Sequence, residues 1–204
     1  TFNLGETIMA LTKLNARSAT ALDATILTGN LPALNGSSLT NISAGKVGQV
    51  VSAHRSTVNS FSSSSTSSFA DLGISLDITP SATSSKILIM SLVNITQSTS
   101  STIHVQLLRD STVINISTDK KSSQVEDMNN IRFQSATPYG NALYHAPQHF
   151  LDSPNTTSQI TYKLRGTLGA SYSGTYWVNR SNDDNDADYS SRNPSNLTAL
   201  EILA

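Results

Sequence analysis

From residue 47 onward, apolar and polar side chains alternate at short and regular intervals. Leu72, Ile74, Leu76 and Ile78 fall at period two, as do Ile103, Val105 and Leu107, and again Ile160, Tyr162 and Leu164. That period puts each set on one face of a β-strand. Further short apolar segments at 47–53, 112–116, 130–133, 149–151, 175–178 and 197–203 read as strands too. Between 86 and 95 the text KILIMSLVNI is almost continuously apolar, which predicts a central strand buried on both faces. Arg109-Asp110-Ser111 predicts a hairpin turn, and the tract FSSSSTSS at 61–68 predicts a mobile or turn-forming loop. About ten short strands separated by turn signals, with no long helical pattern, predict an all-β fold. The architecture expected is a jelly-roll-like antiparallel β-sandwich, burying Leu88, Leu92, Val105, Leu107, Ile160 and Tyr162 between two sheets.

The first 45 residues follow a different rule. Residues 9–22 are compatible with a short helix or an extended strand. After them Leu22, Ile26, Leu27, Leu31, Leu34, Leu39 and Ile42 recur every few residues, punctuated by Gly29, Pro32 and Gly36. So few apolar groups cannot close a core of their own. Such a segment is either a linker or an extended shaft whose aliphatic side chains are buried against identical copies of the chain. The second reading accounts for the regular spacing. The expected organisation is an N-terminal anchor or shaft over 1–45 and a sandwich head over 46–204. Met9-Ala10 reads as a start, which leaves 1–8 as a scar, an upstream extension or a processing stub.

Composition sharpens this picture by exclusion. Charged residues make up 13% of the 204 and the formal net charge is −1. No basic stripe is available to neutralise a phosphate backbone, so nucleic acid is not an expected partner. No apolar run is long enough for a membrane-spanning helix, and membrane insertion is not expected. Serine and threonine together number 57, which suits strands and turns. The chain has no cysteine, so disulfides, thiolate nucleophiles and cysteine zinc sites do not arise.

Candidate chemistry is sparse. His54, His104, His145 and His149 carry no HExxH pattern, and Pro147 keeps His145 and His149 off a shared helical face. No GxSxG or phosphate-loop motif occurs, and there are only three glutamates, Glu6, Glu126 and Glu201. The expectation is therefore a protein without catalytic residues and without a required cofactor. The strongest chemical signal is the acidic run 181–189, where Asp184, Asp186 and Asp188 alternate. Alternating hard oxygens are what Ca2+ takes, although the glycine and distant glutamate of an EF-hand are missing, and the competing reading is a solvated acidic loop. Tyr176 and Trp177 lie nearby, as a stacking platform for a sugar ring or as core residues. Seven Asn-x-Ser/Thr sequons, among them Asn94, Asn155 and Asn179, would carry glycans only in a secreted eukaryotic protein.

Two stretches carry a family resemblance. LTGNLPALNGSSLTNI at 27–42, followed by GKVGQVV, is similar to the repeat-and-linker text of bacteriophage tail-fibre and virion-appendage proteins. FADLGISLDITPSATSSKILIM at 69–90, FLDSPNTTSQITYKL at 150–164 and the closing LTALEIL resemble a domain of phages of aquatic bacteria, cyanophages included. The resemblance implies a virion structural protein on the particle surface, a homotrimer whose chains wind into a shaft over residues 9–45. It would be attached to other virion proteins by its N-terminal segment, with the heads directed outward for contact with a host-surface glycan. Only one or two shaft repeats are present, which favours a short spike, head fibre or capsid decoration protein over a long fibre. The alternative is a carbohydrate- or receptor-binding jelly-roll module of a secreted adhesin.

Overall fold

The structure, a computed structural model, describes residues 46–63, 68–98, 100–133, 142–169 and 173–204. The shaft residues Leu22, Ile26, Leu27, Leu31, Leu34, Leu39 and Ile42 lie outside the described residues. Among the described residues every regular element is a strand: β1 (Val47–Arg55), β2 (Asn59–Ser63), β3 (Ala70–Ile78), β4 (Lys86–Gln97), β5 (Thr102–Arg109), β6 (Thr112–Ile114), β7 (Asn129–Arg132), β8 (Tyr144–Asp152), β9 (Ile160–Leu168), β10 (Gly174–Val178) and β11 (Ser195–Ile202). No helix among them is long and apolar enough to cross a membrane.

The strands form two antiparallel sheets. In the first, β1 pairs with β11, β11 with β4, β4 with β8 and β10, and β10 with β2. In the second, β3 pairs with β9, β9 with β5, and β5 with both β6 and β7. Three of these pairings share a geometry. β10 and β11 lie end to end along one side of β4, since Val178 faces Ile95 and Asn196 faces Leu92. β6 and β7 lie end to end along β5, and β1 and β2 along the β11–β10 line. Taking each such pair as one interrupted strand leaves eight strands, in spatial order 1-8-3-6 and 2-7-4-5. That order is an eight-stranded jelly roll, in agreement with the fold expected from the sequence.

Alternation does most of the folding work. Leu72, Ile74, Leu76 and Ile78 on β3 point inward and meet Val105 and Leu107 of β5 and Ile160, Tyr162 and Leu164 of β9 in one cluster. The opposing sheet contributes Ile87, Ile89, Val93 and Ile95 of β4, with Leu197 and Ala199 of β11. Each such buried aliphatic contributes roughly 1.5–3 kcal/mol. Two expectations need correction here. Leu88 and Leu92 are not between the sheets. The pleat turns them to the outer face of β4, where they are only partly buried, and Ile87, Ile89 and Val93 take the inner positions. The serine tract is not wholly a loop either. Its first residues belong to β2, where Phe61 faces Tyr176 and stacks on it at 5.1 Å.

Lys46 leads into β1 at one end of the sandwich, and the backbone N–H of Leu203 donates to its carbonyl at 2.8 Å. Two buried carboxylates tie this entry end together. Asp152 of β8 accepts from Arg109 of β5 at 2.9 Å and from the Tyr162 hydroxyl of β9 at 2.6 Å, which links the two sheets. Burial, then the hydrogen bond to Asp152, pushes the Tyr162 phenol well above its ordinary range. Glu201 of β11, 1% exposed, accepts from the Ser81 backbone N–H at 2.6 Å, the Ser81 hydroxyl at 2.7 Å and Gln49 at 2.8 Å. Burial alone would raise this carboxyl. The hydrogen bonds from Ser81 and Gln49 outweigh it and hold the pKa at about 2.

A carboxyl depressed from 4.5 to about 2 adds stability that is complete above pH ~4.5 and is lost as pH falls towards 2. The Glu201→Gln variant is expected to unfold more easily at pH 7 by on the order of 2–3 kcal/mol. The gap to the wild type should close by about pH 2, as urea midpoints measured across that range will show.

Candidate functional site

Each sheet carries one long excursion inserted into a single ladder. On the β4 side the chain leaves after Asn179 and returns at Ser195. On the β5 side it leaves after Ile114 and returns at Asn129. Candidate chemistry collects around these two excursions.

The excursion on β5 runs over the outer face of the second sheet. Met128 N–H donates to the Val105 carbonyl at 2.9 Å, and the Gln106 side chain donates to the Glu126 carbonyl. Arg165 of β9 donates to Gln106 at 2.7 Å and lies 4.9 Å from the Phe69 ring centroid. Gln106 and Leu108 are both buried, although both point away from the core. Between excursion and sheet lies a cleft of about 510 Å³. Thr102, His104, Asn130 and Arg132 form its floor, and Asp119, Lys120, Gln124, Glu126 and Asp127 its wall. His104 Nδ1 is hydrogen-bonded to the Asp127 carboxylate, and Lys120 pairs with Glu126 at 3.1 Å. With Nδ1–H donated to Asp127, a neutral His104 keeps Nε2 as an acceptor. The volume is within the range of small-molecule sites, about 300–1,000 Å³. Fixed donors and acceptors of both charge signs suit a polar, many-hydroxyl ligand. Sequence reasoning did not find this site, because its residues come from four separate segments and match no motif. Of its residues the sequence reading names only His104 and Glu126, and neither as part of a site.

The excursion on β4 holds the acidic run. Its neck is closed by the Ser181 N–H donating to the Ser191 carbonyl at 3.0 Å. Asp184 takes Arg192 Nε on one oxygen at 2.9 Å and Arg192 Nη2 on the other at 2.7 Å, with Arg180 Nη1 also on the second at 3.1 Å. The hydrogen bond from Arg192 leads in holding this carboxyl below its ordinary range. The alternating aspartates therefore do not act together. Asp184 is committed to two guanidinium groups. No three His, Asp or Glu side chains among the described residues stand close enough to share a metal ion. The expected grouping of Asp184, Asp186 and Asp188 around a cation is not formed.

Tyr176 and Trp177 face opposite ways, as neighbours on a strand must. Tyr176 is fully buried and its hydroxyl donates to the Gly166 carbonyl at 2.7 Å, with burial pushing the phenol upward. It is a core residue and not part of a stacking platform, which corrects that expectation. Trp177 lies on the outer side of its sheet, beneath the Arg180 guanidinium at 4.6 Å from the ring centroid. His145 is hydrogen-bonded through Nδ1 to Asn94, and His54 and His149 are exposed on the outer face of the first sheet.

No protein-family model matches this chain, and neither does any curated protein. Among solved structures it is similar to the VP2 protein of infectious bursal disease virus in a subviral particle. The identity is 17%, over 76% of this chain and 38% of that one, with a TM-score of 0.37. A point mutant of VP2 in derived T=1 particles gives 14% identity over 85% of this chain and 41% of that one, also at 0.37. The Gt strain of the same virus gives 17% identity over 76% and 38%, at 0.38. The chain thus spans about two-fifths of the length of the chains it matches. These similarities are low, and the jelly-roll assignment rests on the strand order alone.

Asp184→Asn removes the charge that gathers Arg180 and Arg192. Proteolytic cleavage within 180–194 is expected to speed up by about 10-fold, equivalent to ~1.4 kcal/mol of easier local opening. The global unfolding midpoint should shift little, so a protease time course and a thermal melt together check the assignment.

Proposed function

We propose that this chain is a non-enzymatic structural protein of a virion, a short homotrimeric appendage or capsid decoration protein that presents its jelly-roll head outward. The observation that carries this reading is the polarity of the head. The chain enters beside Lys46 at one end, and the polar cleft around His104 lies toward the other. Thr102 and Gly169, at the start of β5 and just beyond β9, mark that far end. A head fastened at one end and receptive at the other suits display from a particle. The text at 27–51 and 69–90, which resembles phage appendage proteins, supports the same plan. So does the recurring aliphatic series from Leu22 to Ile42, which is too sparse to close a core of its own.

The engaged carboxylates support a structural role. Glu201 and Asp152 are engaged in joining strands, and Asp184 in closing a loop. In this proposal the N-terminal segment binds other virion proteins, no cofactor is required, and the cleft contacts a host-surface glycan. The cleft also favours a second reading, a carbohydrate-binding module outside any virion, because the same donors would serve either setting.

In solution the full chain is expected to have the mass of three copies. Antibody against the head is expected to label the surface of purified particles. A stable monomer removes the trimer, and unlabelled particles that lack the chain remove the virion.

Glycan binding is checked separately on an array. His104→Ala with Asp127→Asn should abolish the signal, while Trp177→Ala should leave it within about 3-fold, since the cleft does not include that ring. A signal lost only in the Trp177 variant moves the ligand away from the cleft.

A further inference from the structure

On the outer face of the first sheet, large apolar side chains line one row near the entry end and continue along β4. The register aligns Val50 of β1, Leu200 of β11, Leu88 of β4 and Leu151 of β8 in one row across four strands. Met90 and Leu92 extend it along β4. Val50 is 58% exposed, Leu151 48% and Met90 41%, so nothing described in the head covers them. We propose that this half-face is where the heads of neighbouring copies of the same chain pack on one another, an inference that rests on the oligomer read above.

Four observations select a second copy as the occupant. The first is charge. The three rows that run from Val50 to Leu151, Ser52 to His149 and His54 to Pro147 contain no Asp, Glu, Lys or Arg. Two such surfaces meet with little repulsion, and Lys86, one row nearer the entry end, is the charge that borders them. The second is area. Four strands about 4.8 Å apart and some six residues long, at about 3.3 Å each, make a patch on the order of 300–400 Å². The largest apolar patch on an ordinary monomer is about 300–600 Å² and often functional, and this footprint, its polar positions included, lies at the lower edge of that range. It is about half of the ~800 Å² per partner that an untethered complex uses.

The third observation supplies the tether. Forty-five residues precede Lys46, and they include the aliphatic series 22–42 and run directly into β1, one of the four strands of the patch. Copies joined there hold their heads at an effective concentration in the mM range, enough for a patch too small to act alone. The fourth concerns the edges. β1 has a register shift between Val47 and Val50, and β8 carries Pro147, which has no N–H to donate. Both devices oppose extension of the sheet by a further strand, so contact between copies falls on the face.

The absence of cysteine makes the test direct. Met90→Cys in the full chain, labelled with a benzophenone maleimide, places a photo-cross-linker in the patch, and Tyr189→Cys places one on the exposed acidic excursion. The expected result is an oligomeric chain with covalent dimers from the first position and none from the second. The pair Met90→Glu with Leu151→Glu should lower the oligomer's melting temperature while leaving the strand spectrum intact. An oligomer that gives no intermolecular product at Met90, or equal product at both positions, overturns the packing proposal and leaves the oligomer standing. Cross-links only to residues 1–45 of the same chain also overturn it, by naming a different occupant. A chain that is monomeric at all concentrations overturns both.

Discussion

A hydrogen-bond ladder broken inside a protein must have its loose groups satisfied, and the jelly roll of this chain depends on one such repair. Along β4 the partner strand stops at Asn179 and resumes at Ser195, with a long excursion between them. The groups at the break are buried and none can turn to water. Asn179 N–H donates to the Asn94 carbonyl at 2.8 Å, Asn94 N–H donates to Ser195 Oγ at 2.9 Å, and Ser195 in turn donates to Asn179 Oδ1 at 2.6 Å. The Asn179 amide spans the matching gap between β1 and β2, donating to the carbonyls of Arg55 and Thr57 at 2.8 and 3.0 Å. Asn179 itself has φ 70°, a left-handed conformation that asparagine tolerates better than most residues. Two short polar side chains, Asn179 and Ser195, thus bridge the half-strands on each side. They close the gap on the β10–β11 side, while β4 itself runs unbroken beside β8.

The same repair is used in the other sheet with different residues. There Gln106 sits at the break between β6 and β7 and binds the Glu126 carbonyl of the excursion itself. The two solutions differ in what they leave outside. On β4 the knot closes the sheet and the excursion folds on its own guanidinium–carboxylate cluster. On β5 the excursion is pinned flat over the sheet, and the space beneath its rim becomes the His104 cleft. The cleft is therefore a consequence of how a ladder interruption was satisfied.

This explains what was legible in the sequence. Strands with one buried face announce themselves by alternation, so β3, β5 and β9 and their inward residues could be read directly. The turn at Asp110 was also readable, and the structure gives that residue φ 54°. A continuous apolar run has no such phase. The text 86–95 could not say whether Ile87 or Leu88 faces the core, and the odd-numbered set takes the inner face. β2 was hidden because its partners are in β10, more than a hundred residues away, and serine carries little strand signal. The aspartates of the acidic run were visible, and so were Arg180 and Arg192 flanking them. What spacing could not show was that Asp184 alone is turned toward both. The cleft depended on contacts between excursion and sheet, which no local pattern encodes.

The economy of charge connects these points. With few ionic groups, the chain places its buried carboxylates where strands from different parts of the sequence must be held at one end. Hydroxyl pairs serve elsewhere, such as Ser52 with Thr198 at 3.0 Å on the outer face and Ser63 with Thr167 at 2.9 Å. Hydroxyls bind water well but repel nothing. A surface made soluble by serine and threonine, without like charges, does not keep copies of itself apart. The outer face of the first sheet combines that neutrality with exposed Val50, Met90 and Leu151. A free monomer would gain from polar residues at those positions. Met90 lies on the strand whose sequence reads as buried on both sides, and the proposed packing of another copy would supply that second side for it and for its neighbours on β1 and β8.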